Sequence, residues 1–186
     1  MHCRTEREAQ SIKTALQARL AECGLELHAD KTKIVYCRDA NRRGMYSSTK
    51  FDFLVYTFRP RNVKTQKCGT LFVSFTAAVS STALKDMRQT TRKWNLRNRT
   101  DLDLEDISHM FNPVLRGWLQ YYGRFQPSAM DPVLLHFNAT LVAWAMRKYS
   151  RLRGHKIRAA RFIERIARRQ PSLFIHWKRG VFGTAG

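Results

Sequence analysis

The sequence predicts an α+β fold: one helix and a small antiparallel sheet, followed by an all-α helical bundle. Three observations predict it. Runs rich in β-branched and aromatic residues occur between positions 34 and 75, no such run occurs after about residue 80, and an apolar periodicity near 3.6 governs most of the chain beyond that point.

Thr5 and Glu8 have the spacing of a capping box, Ile12, Leu16 and Leu20 recur at helical spacing, and Gly24 stands where a left-handed residue would end a helix. A helix over about residues 5–23 is the expectation. Three strand-like runs come next, Ile34–Cys37, Phe51–Phe58 and Leu71–Phe75, separated by polar turns. Between the last two, residues 59–67 read as a basic hairpin loop whose charges either reach a phosphate, Arg59 and Arg61 foremost, or are simply solvated.

The strand signal stops near residues 76–82, which divides the chain into a first part over residues 1–78 and a helical part over 79–186. Leu84, Met87, Thr91 and Trp94 mark one helix. Ile107 through Tyr122 marks a second, in which Pro113 predicts a kink. Asp131-Pro132 reads as an N-cap followed by proline at the first helical position. The helix it opens, through about Tyr149, is apolar around most of its circumference and is expected at the centre of the bundle. The last helix, about 156–169, places Ala159, Phe162, Ile163 and Ile166 on one face and Arg158, Arg161, Arg165 and Arg168 on the other.

Lys and Arg number 34 against 14 Asp and Glu, a net charge of +20, yet apolar residues reach 44%. The apolar content excludes a charged disordered tail, and the charge points to a polyanionic partner. No apolar run approaches the roughly 20 residues of a membrane-spanning helix, so nucleic acid is the expected polyanion and the cytoplasm the expected compartment. Cys3, Cys23, Cys37 and Cys68 lack any CxxC pair, which argues for reduced thiols over zinc or a disulfide framework.

The run from Arg147 to Arg169 holds Arg147, Lys148, Arg151, Arg153, Lys156, Arg158, Arg161, Arg165, Arg168 and Arg169 against one acid, Glu164. Guanidinium groups fork onto phosphates, and a merely solvated face mixes in acids, so a structured phosphate-dense ligand is expected here. Lys85, Arg88, Arg92, Lys93, Arg97 and Arg99 form a second basic set, and Arg116 a further cation. Trp118 and Tyr122 continue an apolar stripe and read as core. Tyr121 and Trp177 are open between core and base stacking. No Ser-His-Asp or Cys-His motif and no glycine-rich phosphate loop occurs, and the six histidines lack ligand spacing, so no catalytic residue is predicted.

Gly24–Ile34 (GLELHADKTKI) and Phe51–Arg61 (FDFLVYTFRPR) resemble the end of the palm in group II intron reverse transcriptases. Asn112–Gly123 (NPVLRGWLQYYG) resembles the signature of their maturase domain, also called thumb or domain X. The resemblance implies a palm remnant followed by a thumb that binds intron RNA, assists splicing and grips an RNA/DNA template-primer duplex. It places Lys31 near an incoming nucleotide and Phe53, Leu54, Val55 and Tyr56 at a primer grip. The family usually has glycine where Val55 stands, and a branched side chain there would hinder close approach of a primer end.

The family's Tyr-Ala-Asp-Asp motif, whose carboxylates hold two Mg2+ ions for nucleotidyl transfer, is absent from this sequence. The resemblance therefore implies a binding protein that does not polymerise alone, or else part of an active polymerase completed by another portion. A generic basic DNA-binding protein is the third reading. No zinc endonuclease module follows Phe174–Trp177, as in shorter bacterial members. An isolated palm edge is expected to favour self-association.

Overall fold

A computed structural model describes residues 1–41, 44–64 and 69–183. Its elements are α1 (Glu6–Glu22), β1 (Phe51–Phe53), β2 (Tyr56–Lys64), β3 (Leu71–Val79), α2 (Ser81–Lys93), α3 (Leu104–Tyr122), α4 (Asp131–Lys148) and α5 (Lys156–Arg169). The arrangement is α+β, with an antiparallel sheet in the order β1-β2-β3. Two compact units divide the chain, residues 1–51 with 58–76, and residues 52–57 with 77–186. No helix among the described residues is long and apolar enough to cross a membrane.

In the first unit, α1 begins where Thr5 accepts a hydrogen bond from the Glu8 amide at 3.2 Å. The box is only half made, because the Glu8 carboxylate takes the amide of Arg4 and not that of Thr5. At the other end Gly24 has φ +69, its amide bonds to the Ala21 carbonyl and the Leu25 amide to that of Leu20, which is a Schellman ending. The helix has no buried residue, and Leu16 on the expected apolar face is 41% exposed.

The strand expected at Ile34–Cys37 does not form. That run finds no ladder among the described residues. It has a backbone link from the Tyr36 amide to the Ser48 carbonyl and the Tyr36 ring 4.2 Å from Tyr46. Strand propensity without a partner strand leaves an extended segment.

The expected strand over Phe51–Phe58 is two strands, β1 and the start of β2, broken by a turn at Leu54 and Val55. Leu54 has φ +55, a left-handed conformation that ends the ladder. Phe51 stacks on Phe58 at 4.8 Å and faces Phe75 at 6.1 Å, an aromatic row crossing the three strands. The basic loop expected over 59–67 is strand as far as Lys64; Thr65, Gln66, Lys67 and Cys68 lie outside the described residues. Pro60 lies within β2, the middle strand of the sheet.

The second unit is helical. The Ser80 hydroxyl caps α2 by accepting from the Ala83 amide at 3.2 Å, and the Ser80 amide bonds to the Val55 carbonyl at 2.8 Å. A reciprocal capping box of Asp103 and Asp106 starts α3. This helix continues unbroken across Pro113, where the sequence predicts a kink. Asp131 is not the N-cap that its sequence context predicts: a 3-10 turn over Pro127–Met130 leads directly into α4, so Asp131 is its first residue. α4 is the central helix, with Val133, Leu134, Phe137, Leu141 and Trp144 wholly buried and contacts to both α2 and α5.

The segment after α5 folds back onto this core. Asn112 grips it in register, its Nδ2 donating to the Leu173 carbonyl at 2.8 Å and its Oδ1 accepting from the Ile175 amide at 3.1 Å. Phe174, His176 and Trp177 are buried beyond it.

Candidate nucleic-acid interface

The amphipathic division of α5 is realised. Ala159, Ile163 and Ala167 are buried, Phe162 and Ile166 are half-buried, and Arg158, Arg161, Arg165 and Arg168 are all exposed. Arg168 pairs with Glu164 at 2.7 Å. Arg158, Arg161 and Arg165 have no acidic partner among the described residues, so their charge faces solvent without a counter-ion from the protein.

The turn before α5 adds Arg151 and Arg153, and the first residue of the helix adds Lys156, all exposed. The Arg151 guanidinium lies 6.0 Å from the Tyr149 ring and 5.8 Å from the Phe162 ring, which restrains it against the helix. Lys148 differs from the rest of the set. It is half-buried, donates to the Leu102 carbonyl and lies 5.3 Å from the Trp144 ring, so it supports the bundle as well as adding charge.

On α2, Arg92 is exposed and Arg88 half-buried, with the Arg88 Nε donating to the Leu84 carbonyl at 3.1 Å. On α4, burial first and then Arg92 and Arg88 hold the His136 pKa below its ordinary value. Sequence spacing singles out no histidine, and it misses this one because its neighbours lie on another helix. Arg116 is exposed on α3.

Tyr121 is 56% exposed on α3, whereas Trp177 is 1% exposed and belongs to the core. Trp118 stacks on Trp94 at 5.6 Å within the bundle. The polar residue that sequence reading overlooks is Asn138, which is wholly buried and binds the C-terminal segment through both ends of its amide. An asparagine amid apolar residues of a central helix is the available signal.

Of the residues matched to the palm, Lys31 is exposed in a turn in which its amide bonds to the His28 carbonyl. Arg59 is exposed on β2, and Arg61 is half-buried, its pKa lowered by burial and then by Arg59. In the second unit Phe53 and Leu54 are 60% and 79% exposed. Val55 is half-buried against the helical core, and Tyr56 donates to the Tyr121 carbonyl. Leu54, and not Val55, is the residue of this turn with positive φ. Among the described residues no three His, Cys, Asp or Glu side chains gather to hold a metal ion.

Residues 84–162 match the family model of the group II intron, maturase-specific domain. Over this stretch the chain is similar to that domain. The match begins within α2 and ends within α5, so the matched stretch contains Arg88, Arg92, Arg116 and the basic turn, and its last matched arginine is Arg161. No curated protein and no solved structure matches the chain.

Proposed function

We propose that this protein binds folded group II intron RNA through the arginine face of α5 and the basic turn before it, and so helps the intron reach its splicing-competent structure. The observation that carries the reading is the set Arg158, Arg161 and Arg165, exposed on one helix face without acidic partners among the described residues. The mechanism is binding: phosphate contacts supply affinity, and the packed apolar face of α5 fixes the arginines' spacing.

The decisive experiment is filter binding to a folded group II intron RNA across a salt series, beside an unrelated structured RNA of equal length. Affinity should fall roughly 10³-fold or more between low and moderate salt if six or more phosphates are contacted. Tighter binding to the intron RNA at every salt supports the maturase role. Equal binding to both RNAs leaves a basic nucleic-acid binder, and competition with duplex DNA then tests for a DNA-binding protein.

A second reading, a grip on a template-primer duplex, draws on the exposed turn at Phe53 and Leu54 and on Lys31 by resemblance. Primer extension with a complementing polymerase portion and Mg2+ tests it, and loss of extension on K31A supports it. Self-association is supported by Leu71 and Phe72, exposed on the edge strand β3. Sedimentation of the wild type against L71K tests that.

A further inference from the structure

We infer that Tyr121 and Phe125, at the end of α3, form a stacking platform for unpaired bases of a single-stranded RNA segment, a contact to bases where the α5 arginines contact phosphates. The inference rests on the RNA-binding reading for the source of the strand, not for the existence of the platform.

Aromatic rings are costly to leave in water, and the bundle shelters most of its own: Phe137, Trp144, Phe174 and Trp177 are at most 1% exposed. Tyr121 and Phe125 depart from that pattern, at 56% and 59%. Both meet a third ring, Tyr56, with centroids 6.4 Å and 5.2 Å away, the second contact edge-to-face. The Tyr56 hydroxyl donates to the Tyr121 carbonyl, one of those in the last turn that an α-helix leaves unpaired. That bond fixes the end of α3 against the turn at Leu54 and Val55, all within the second unit. The two exposed rings are therefore held before a ligand arrives, and little side-chain freedom is left to lose on binding.

Beside Tyr121 there is room for a flat group. Gly117 stands one turn earlier on the same face of α3, and a Cβ there would meet no heavy atom within 4 Å. The helix is bare at that turn.

The charge of these segments selects the occupant. Residues 53–57 and 107–130 contain Arg116 and Arg124, both exposed, and no Asp or Glu. An apolar protein surface gains nothing from those cations. A nucleic-acid strand uses both features, its bases stacking on the rings and its phosphates meeting the arginines. A duplex hides its base faces, so the bases must be unpaired. RNA is the source because Tyr121 and Phe125 lie within residues 84–162, the stretch similar to the group II intron maturase-specific domain.

The test compares two short strands of equal length and charge, oligouridylate and its abasic counterpart, binding to the full chain at one salt concentration and read by fluorescence anisotropy. The wild type should bind the strand with bases tighter by about tenfold or more, the ratio that one stacked base supplies. Y121A/F125A should bring that ratio near one and leave affinity for the abasic strand unchanged, whereas Y121F/F125Y should keep it. G117L fills the bare turn with a better helix former and should lower the ratio without lowering the thermal midpoint. A ratio near one in the wild type, or an undiminished ratio in Y121A/F125A, overturns the platform. An undiminished ratio in G117L overturns the placement of a base beside Gly117. Should circular dichroism show Y121A/F125A unfolded, photo-crosslinking of the wild type to a strand carrying 5-iodouridine decides: adducts on Tyr121 or Phe125 support the platform, and adducts confined to other residues overturn it.

The variant R158Q/R161Q/R165Q separates this from the proposed function. It should weaken both strands alike and keep their ratio. Retained affinity for both strands with an intact ratio would refute the α5 surface and leave the platform standing. A ratio near one in the wild type, with affinity lost in the triple variant, would do the reverse. Y121A/F125A should also bind folded intron RNA more weakly than the wild type, and unchanged affinity there overturns the assignment of the strand to the intron.

Discussion

The Trp177 indole Nε1 donates to the Asn138 Oδ1 at 2.8 Å, joining the segment after α5 to the middle of the central helix. The same oxygen meets the His176 Nε2 at 3.2 Å, and the Asn138 Nδ2 donates to the carbonyls of Phe182 and Gly183. All four amide contacts therefore go to one returning stretch of chain, those to His176 and Trp177 buried and those to Phe182 and Gly183 nearer the surface.

Replacing Asn138 by leucine keeps the branched four-atom skeleton, with somewhat more bulk, and removes every partner at once. The buried indole N–H is then stranded without compensation, at a cost of about 1–3 kcal/mol. Urea unfolding followed by tryptophan fluorescence should show that loss as a lower midpoint. A midpoint unchanged from wild type would mean that the tail is held by packing of Phe174 and Trp177 alone.

His176 gives the same latch a pH dependence. Burial lowers its pKa from 6.5 to about 3 in the folded chain, so the unfolded chain takes up a proton first as the pH falls. The histidine's contribution to stability is complete above about pH 6.5 and is lost on acidification toward pH 3, by about 1.4 kcal/mol per pH unit within that window. Urea unfolding at pH 7, 6, 5 and 4.5 should give a steeper decline for wild type than for H176N. Parallel declines would place the acid sensitivity in other groups.

Leu54 and Asn95 are the described non-glycine residues with positive φ, at +55 and +50. Asparagine tolerates that region, and leucine does not. Since the Leu54 side chain is 79% exposed, L54G relieves the backbone while giving up little burial. Stability should rise by about 0.5–1 kcal/mol, net of the extra chain entropy of glycine. A fall in the thermal midpoint would show that the exposed side chain makes a contact the isolated chain needs.

Elements set by local chemistry are legible in the sequence. Gly24 marks its helix ending by its own backbone freedom, and the two faces of α5 follow from residue spacing alone. The start of α3 is readable too, since Asp103 and Asp106 have capping-box spacing, but aspartate stands there in place of the usual Ser/Thr and Glu/Gln. What local pattern does not encode is pairing. Ile34–Cys37 has strand composition but no partner ladder, and the break at Leu54 uses a residue whose propensity opposes it. His136 beside Arg88 and Arg92, and Asn112 against residues 173 and 175, depend on which helices meet, so spacing alone is silent about both.

The arginine face of α5 makes a prediction in slope as well as in affinity. Each phosphate neutralised by a protein cation releases condensed counter-ions, so the logarithm of the binding constant falls with the logarithm of salt in proportion to the number of contacts. Arg158, Arg161 and Arg165 are exposed and lie opposite the buried Ala159, Ile163 and Ala167, so R158Q/R161Q/R165Q should leave the helix packed and its circular dichroism unchanged. If each arginine contacts one phosphate, the slope for intron RNA should become shallower by about 2–3. A weaker binder with an unchanged slope would mean that the substitutions act on the shape of the domain. An unchanged slope and affinity would move the contact to another basic surface, such as the one carrying Arg88 and Arg92.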